Sequence, residues 1–275
     1  MTTSEETLDQ PQTGGSVRTR TGPSGLRGAR VIFKKELREW FSTRRFLIMT
    51  LLTSVMLACV PSILFLHEGG LHDGRINSGY NGLLESWVAL SLTLGSYLVV
   101  AVSMGLIIKE EESGTAQWLF TKPLSRVGYV LAKYSANAVV VLLGAVLIPS
   151  VVFLLLTQVV EVGGIKDWPA MAAALGLISL NAAVVLGIVV GLSGFFRSSA
   201  PVAGIAIAIN FVPLFFFRIV DQKFAGLFPI NIEAIATEAV HGHHLTPWEP
   251  VVSGTVLAIL GIAFTCWRIS RRQLQ

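Results

Sequence analysis

Six stretches of this chain are almost free of charge and are separated by short polar islands: 46–66, 86–108, 131–157, 168–196, 200–217 and 251–267. As a helix, each is long enough to cover roughly 30 Å, the thickness of a bilayer's hydrocarbon core. Lipid offers no partner to an open backbone group, so uninterrupted apolar stretches of this length predict crossing helices. Two further segments carry a helical period. Ahead of the first stretch, Phe33, Leu37, Trp40 and Phe41 fall on one side of a helix, with Lys34, Lys35, Glu36, Arg38 and Glu39 on the other. That split predicts an amphipathic helix in the membrane interface. Its charged face also suits docking of a cytoplasmic partner, for which Lys35, Glu36, Arg38 and Trp40 are the candidates. Before the last stretch, Ile232, Ile235, Ala236 and Ala239 form an apolar stripe with Glu233 and Glu238 off it. Asn231 is placed to cap this segment, which predicts a short helix on or in the outer leaflet.

The densest polar island lies between the second and third stretches, from Lys109 through Glu110, Glu111 and Glu112 to Arg126. Lipid cannot accept three consecutive carboxylates, so this segment is a loop at a membrane face. Within it Gly114 offers a turn, Thr115 can cap a helix beginning just after it, residues 117–120 suit one short helix, and Pro123 stops it. Trp118 and Phe120 then present aromatic surface of the kind that fills a partner's groove. Belt aromatics lying among headgroups are the plainer alternative.

Composition sets the class. With 52% hydrophobic residues, 14% charged and a mean hydropathy of +0.65, the 275-residue chain lies outside the range of soluble domains. The net charge of +4 raises the question of nucleic acid, but the basic residues sit at the edges of apolar stretches, where cytoplasmic anchoring accounts for them. An even number of crossings puts both termini on one side. Placing them in the cytoplasm assigns 17 of the 21 Lys and Arg to the inner face. Residues 1–29, rich in Thr, Ser, Gly, Pro and Arg, predict a disordered cytoplasmic tail rather than a secretory signal. Residues 30–275 read as one helical transmembrane domain, with no repeat of 20–50 residues.

Several chemistries lack their residues. No Gly-x-x-x-x-Gly-Lys-Ser/Thr loop occurs, so no phosphate cradle for ATP is encoded. His67 and His72 are five apart and straddle a glycine pair, unlike the two histidines of a zinc-protease helix. His241, His243 and His244 read as a solvated loop. No Asp, Glu or His falls inside the six stretches, which leaves intramembrane proteolysis without a base. Cys59 and Cys266 read as small core residues. Asn137, Asn181 and Asn210 are the polar side chains to explain; glue between helices is the default, and Gly176, Gly187, Gly191 and Gly194 predict close helix approach. Asn210, bracketed by Pro201 and Pro213, is the strongest candidate for a pathway lining, with Pro213, Asn137 and Asn181 beside it.

The polar island resembles the first cytoplasmic loop of the permease subunits of ABC-2 type exporters. The matching positions are Glu110 and Glu112, Gly114 and Thr115, Trp118, Leu119 and Phe120, then Thr121, Pro123, Ser125, Arg126 and Lys133. Lys35, Glu36, Leu37 and Arg38 match the family's amphipathic lead-in helix. The resemblance implies an all-α polytopic fold: six transmembrane helices, the N-terminal interfacial helix, a cytoplasmic coupling helix between spans two and three, and a short outer helix between spans five and six. It also implies that this chain is no enzyme and binds no cofactor. ATP and Mg would be used by a separate ATPase subunit in two copies, gripping the coupling loop and the interfacial helix. A second permease copy would complete the pathway in the cell membrane. The lack of charge in the spans fits an amphipathic or lipid-like cargo. The rival reading is a non-transporting scaffold or sensor that regulates the ATPase.

Overall fold

A computed structural model describes residues 28–67, 76–115, 125–159, 168–216, 232–240 and 249–271, with side chains for most of them. Among these residues every regular element is a helix. Helix α1 (Ala29–Ser42) starts at Gly28, whose φ of 80° is open to glycine, and stops where Thr43 adopts an extended backbone. There the chain turns into α2 (Arg44–Ser54), which passes through a π-helical turn (Val55–Cys59) into α3 (Val60–His67). Helix α4 (Ile76–Ser103) leads through a turn into the short α5 (Ile108–Glu112). Helix α6 (Arg126–Val141) continues through a second π-helical turn (Leu142–Leu147) into α7 (Ile148–Val159). Helices α8 (Trp168–Phe195), α9 (Ser199–Phe216), α10 (Ile232–Val240) and α11 (Glu249–Arg271) complete the order.

Five segments are long and apolar enough to cross a membrane: Arg44–Ile63, Gly82–Glu112, Arg126–Gln158, Trp168–Phe195 and Glu249–Arg271. They coincide with five of the six expected crossings. The sixth, 200–217, falls in α9, of which Ser199–Asn210 is a shorter apolar helix and the remainder lacks described side chains.

Helix α8 is apolar on every side, and such a helix belongs in the middle of a bundle. It packs on α4, α9, α10 and α11. Its closest partner is α11, along a seam of small residues: a methyl on Gly187 would lie 2.7 Å from Ala258 Cβ, one on Gly191 2.7 Å from Gly261 Cα, and one on Gly194 2.6 Å from Thr265 Oγ1. Thr265 Oγ1 donates to Val190 O at 2.9 Å across this seam. Gly176, expected to share in the close approach, instead has open space where a methyl would go. It sits on a part of α8 that α11 does not reach so closely.

The two π-helical turns belong to neighbouring crossings. Thr53, just before the first, donates to Gly144 O in the second at 3.0 Å, and a methyl on Gly144 would strike Met49, Thr50 and Phe46. An inserted residue in a helix frees a carbonyl, and a threonine hydroxyl here supplies it with a donor. Nearby, Trp87 of α4 stacks on Phe153 of α7 at 5.0 Å in the core.

The apolar stripe of α10 is as expected, but its cover is different. Ile232, Ile235, Ala236 and Ala239 are all buried, at 3% exposure or less, against α4 and α8. The bundle rather than lipid takes the stripe, because the helix's four apolar side chains match an equally apolar surface on α8. Asn231 lies outside the described residues, as do His241, His243 and His244.

Candidate functional site

Helices α1 and α6 lie side by side with a constant offset. Glu36 meets Lys133, and one turn later Trp40 meets Asn137; both pairs are 97 residues apart, so the helices run parallel and in register. One turn earlier, Ile32 and Tyr129 share the same buried cluster. The face that α1 turns to the bundle is thus Ile32, Glu36 and Trp40, spaced four residues apart. This corrects the expectation that Glu36 belongs to a solvated charged face. Phe41, expected on the apolar side that anchors in the interface, is 52% exposed and turned away from the bundle.

Lys133 is the centre of the site. Its side chain is only 4% exposed, and its Nζ lies 2.9 Å from Glu36 Oε1 on α1 and 3.0 Å from Glu110 Oε1 on α5. An isolated ammonium at such depth is prohibitively costly, and two carboxylates relieve it. The surplus negative charge is shared with Lys35, whose Nζ is 3.6 Å from Glu110 Oε1 near the surface. Tyr129, one turn before Lys133, donates its hydroxyl to Glu110 Oε2, and its ring lies 5.6 Å from the ammonium. Trp40 Nε1 donates to Asn137 Oδ1 at 3.0 Å, and Asn137 Nδ2 donates to Lys133 O at 2.9 Å. Three helices are therefore joined by one saturated network of charged and polar groups, the arrangement in which buried polar contacts rigidify rather than destabilise.

The remaining loop positions divide. Glu112 is exposed at the end of α5. Gly114 takes a φ of 70°, the left-handed conformation that ends a helix, and its N–H donates to Glu111 O at 3.2 Å. The Thr115 hydroxyl lies 2.8 Å from that of Ser113. Trp118, Phe120, Thr121 and Pro123, with the expected coupling helix, lie outside the described residues. Ser125 caps α6 by accepting from Gly128 N at 3.2 Å. Arg126 donates to Ile269 O at 3.1 Å and to Ser270 O at 2.8 Å, satisfying carbonyls at the C-terminal end of α11. Arg268 likewise donates to Phe195 O at the end of α8, at 3.1 Å. Arg38 is exposed on α1.

Of the asparagines, Asn137 joins α6 to α1, and Asn181 joins α8 to α4 by donating to Ser96 Oγ at 2.9 Å. Both act between helices, as polar side chains in bundles commonly do. Asn210 donates to Ala206 O at 2.8 Å within its own helix, and α9 continues through Pro213 to Phe216.

Beside the ion cluster a cleft of about 160 Å³ opens between the α1–α2 corner, α4–α5 and α6, with Glu39, Trp40, Thr43, Arg45, Gly105 and Lys109 among its walls. Residue patterns alone missed the cluster. Its signal was available: Lys133 is the one cation inside the otherwise uncharged stretch 131–157, so a buried carboxylate partner was required.

A family model described as ABC-2 family transporter protein matches residues 30–233, a stretch that contains α1, the ion cluster and most of the bundle. Among curated proteins nothing matches.

Proposed function

Since the chain belongs to the ABC-2 transporter family, whose members form the membrane component of ABC transporters, we propose that it is the permease subunit of an ATP-driven exporter. In this reading two copies pair in the cell membrane and the pathway lies between them. A separate ATPase, also in two copies, uses ATP and Mg and grips the loop between α5 and α6. Binding energy released as the ATPase closes moves that loop, and the bundle rocks between inward- and outward-facing arrangements. The cargo is amphipathic or lipid-like.

The single observation that carries the coupling role is Lys133 bound to Glu36 and Glu110 at 2.9 and 3.0 Å. Glu110 stands where the loop begins, so a push on the loop is delivered to α1 and α6 together rather than absorbed by a free segment. An even number of crossings, with both termini at one end of the bundle, also has support. Arg268 ties the end of α11 to the end of α8, and Arg126 ties it to the start of α6. If α8 and α11 finish at the same end of the bundle, the chain between them must pass once to the opposite end, and α9 is the helix available for it.

The test is transport and ATPase activity measured together in vesicles containing the permease and its ATPase. Glu112→Lys or Trp118→Ala is expected to leave the protein in the membrane while reducing cargo-stimulated hydrolysis and transport at least about tenfold, the loss of a hot-spot contact worth about 2 kcal/mol. Unchanged coupling in both variants would count against the loop as the point of grip.

A further inference from the structure

The cleft beside the ion cluster carries two cations that the cluster does not use. Glu36 and Glu110 are matched by Lys133 and Lys35, which leaves Arg45 and Lys109 in the cleft wall with Glu39. Neither Arg45 nor Lys109 forms an ion pair among the described residues. Lys109 is nonetheless held in place. Its aliphatic stem lies directly on Gly105, where a methyl group would come within 2.6 Å of Lys109 Cε, so glycine lets the side chain fold back along the cleft wall. The cleft itself is mostly polar, but the surface of α2 that follows Arg45 is apolar. Just beyond Arg45, Leu47, Ile48 and Leu51 are 69, 63 and 71% exposed, and Ala101 is exposed on the opposite wall.

We propose that this cleft binds the head group of an anionic glycerophospholipid, with Arg45 and Lys109 on the phosphodiester and the acyl chains along Leu47, Ile48 and Leu51. With Lys35 counted as the partner of Glu110, one positive charge is left over around the cleft, which matches one phosphodiester. Charge-assisted hydrogen bonds to phosphate are the strong ones, and a guanidinium with an ammonium is a suitable pair of donors. A free phosphate satisfies the cations equally but makes no use of the apolar wall that begins beside them. Basic pockets between crossing helices commonly take such head groups. The site does not depend on the transport role: it holds a lipid whether or not the chain couples to an ATPase.

Native mass spectrometry of the purified full chain in detergent tests the assignment, with phosphatidylglycerol, phosphatidylcholine and inorganic phosphate as probes. Phosphatidylglycerol is expected to bind saturably, one per chain, and more tightly than phosphatidylcholine. The double variant Arg45→Gln, Lys109→Gln is expected to weaken it at least about tenfold, and Gly105→Ala, which displaces Lys109 without removing a charge, to weaken it by a smaller factor. Both cations are exposed, so the double variant keeps its fold. Equal binding of the two lipids with no effect of either variant overturns the proposal in favour of unspecific lipid contact. Binding of inorganic phosphate as tight as that of the lipid overturns it in favour of a soluble anion.

Discussion

Lys133 shows how much one buried charge can organise. Removing one partner from a buried ion pair typically costs about 3–5 kcal/mol, because the remaining charge loses its compensation. Lys133→Met leaves Glu36 and Glu110 facing each other across α1 and α5, both mostly buried. The variant should therefore lose about 3–5 kcal/mol, read as a lowered thermal unfolding midpoint in detergent. Neutralising all three groups, with Glu36→Gln and Glu110→Gln added, should recover more than half of that loss. If the single and triple variants unfold together, the network is not what holds α1 in place. Hydropathy ranks the Glu36 carboxylate as solvent-facing, whereas the partner that buries it lies 97 residues away.

At the scale of elements, the pairing of α8 with α11 depends on the absence of side chains. Gly191 faces the backbone of Gly261, and a backbone cannot give way as a flexible side chain can. Gly191→Ala should thus destabilise by about 1–3 kcal/mol, as overpacking does. Gly176→Ala, on the same helix but facing open space, should be neutral or stabilise by up to about 1 kcal/mol through helix propensity. Calorimetry or thermal denaturation of the two variants side by side checks the contrast, and equal effects would mean that the seam is not tightly packed. Small residues at helical spacing were legible in the sequence as a site of close approach. Which of them makes that approach depends on where α11 lies.

For the whole molecule, the ion pairs and caps gather one end of the bundle: α1, α5, the start of α6 and the ends of α8 and α11. With an odd number of passes between Phe195 and Glu249, a cysteine at Ser113 and one at Ser270 share a side of the membrane, and one at Glu249 lies on the other. In a background with Cys59 and Cys266 replaced by serine, a membrane-impermeant maleimide added to intact cells should label position 249 alone. Positions 113 and 270 should react only after the cells are opened. Labelling of 270 in intact cells with 249 protected would show that the chain from 199 to 216 does not pass through the bilayer.

The sequence by itself determined the membrane class, the all-helical fold, the amphipathic lead-in helix, the apolar stripe of α10 and the turn at Gly114. Each of these has a local cause: transfer of apolar surface out of water, helical period, or the conformational freedom of one residue. Tertiary structure decided the rotation of α1, the partners of Lys133, the cover of α10 and the glycines that form the seam. Those depend on which surfaces meet, and a charge or a missing methyl acquires its meaning only from the atoms that another segment brings against it.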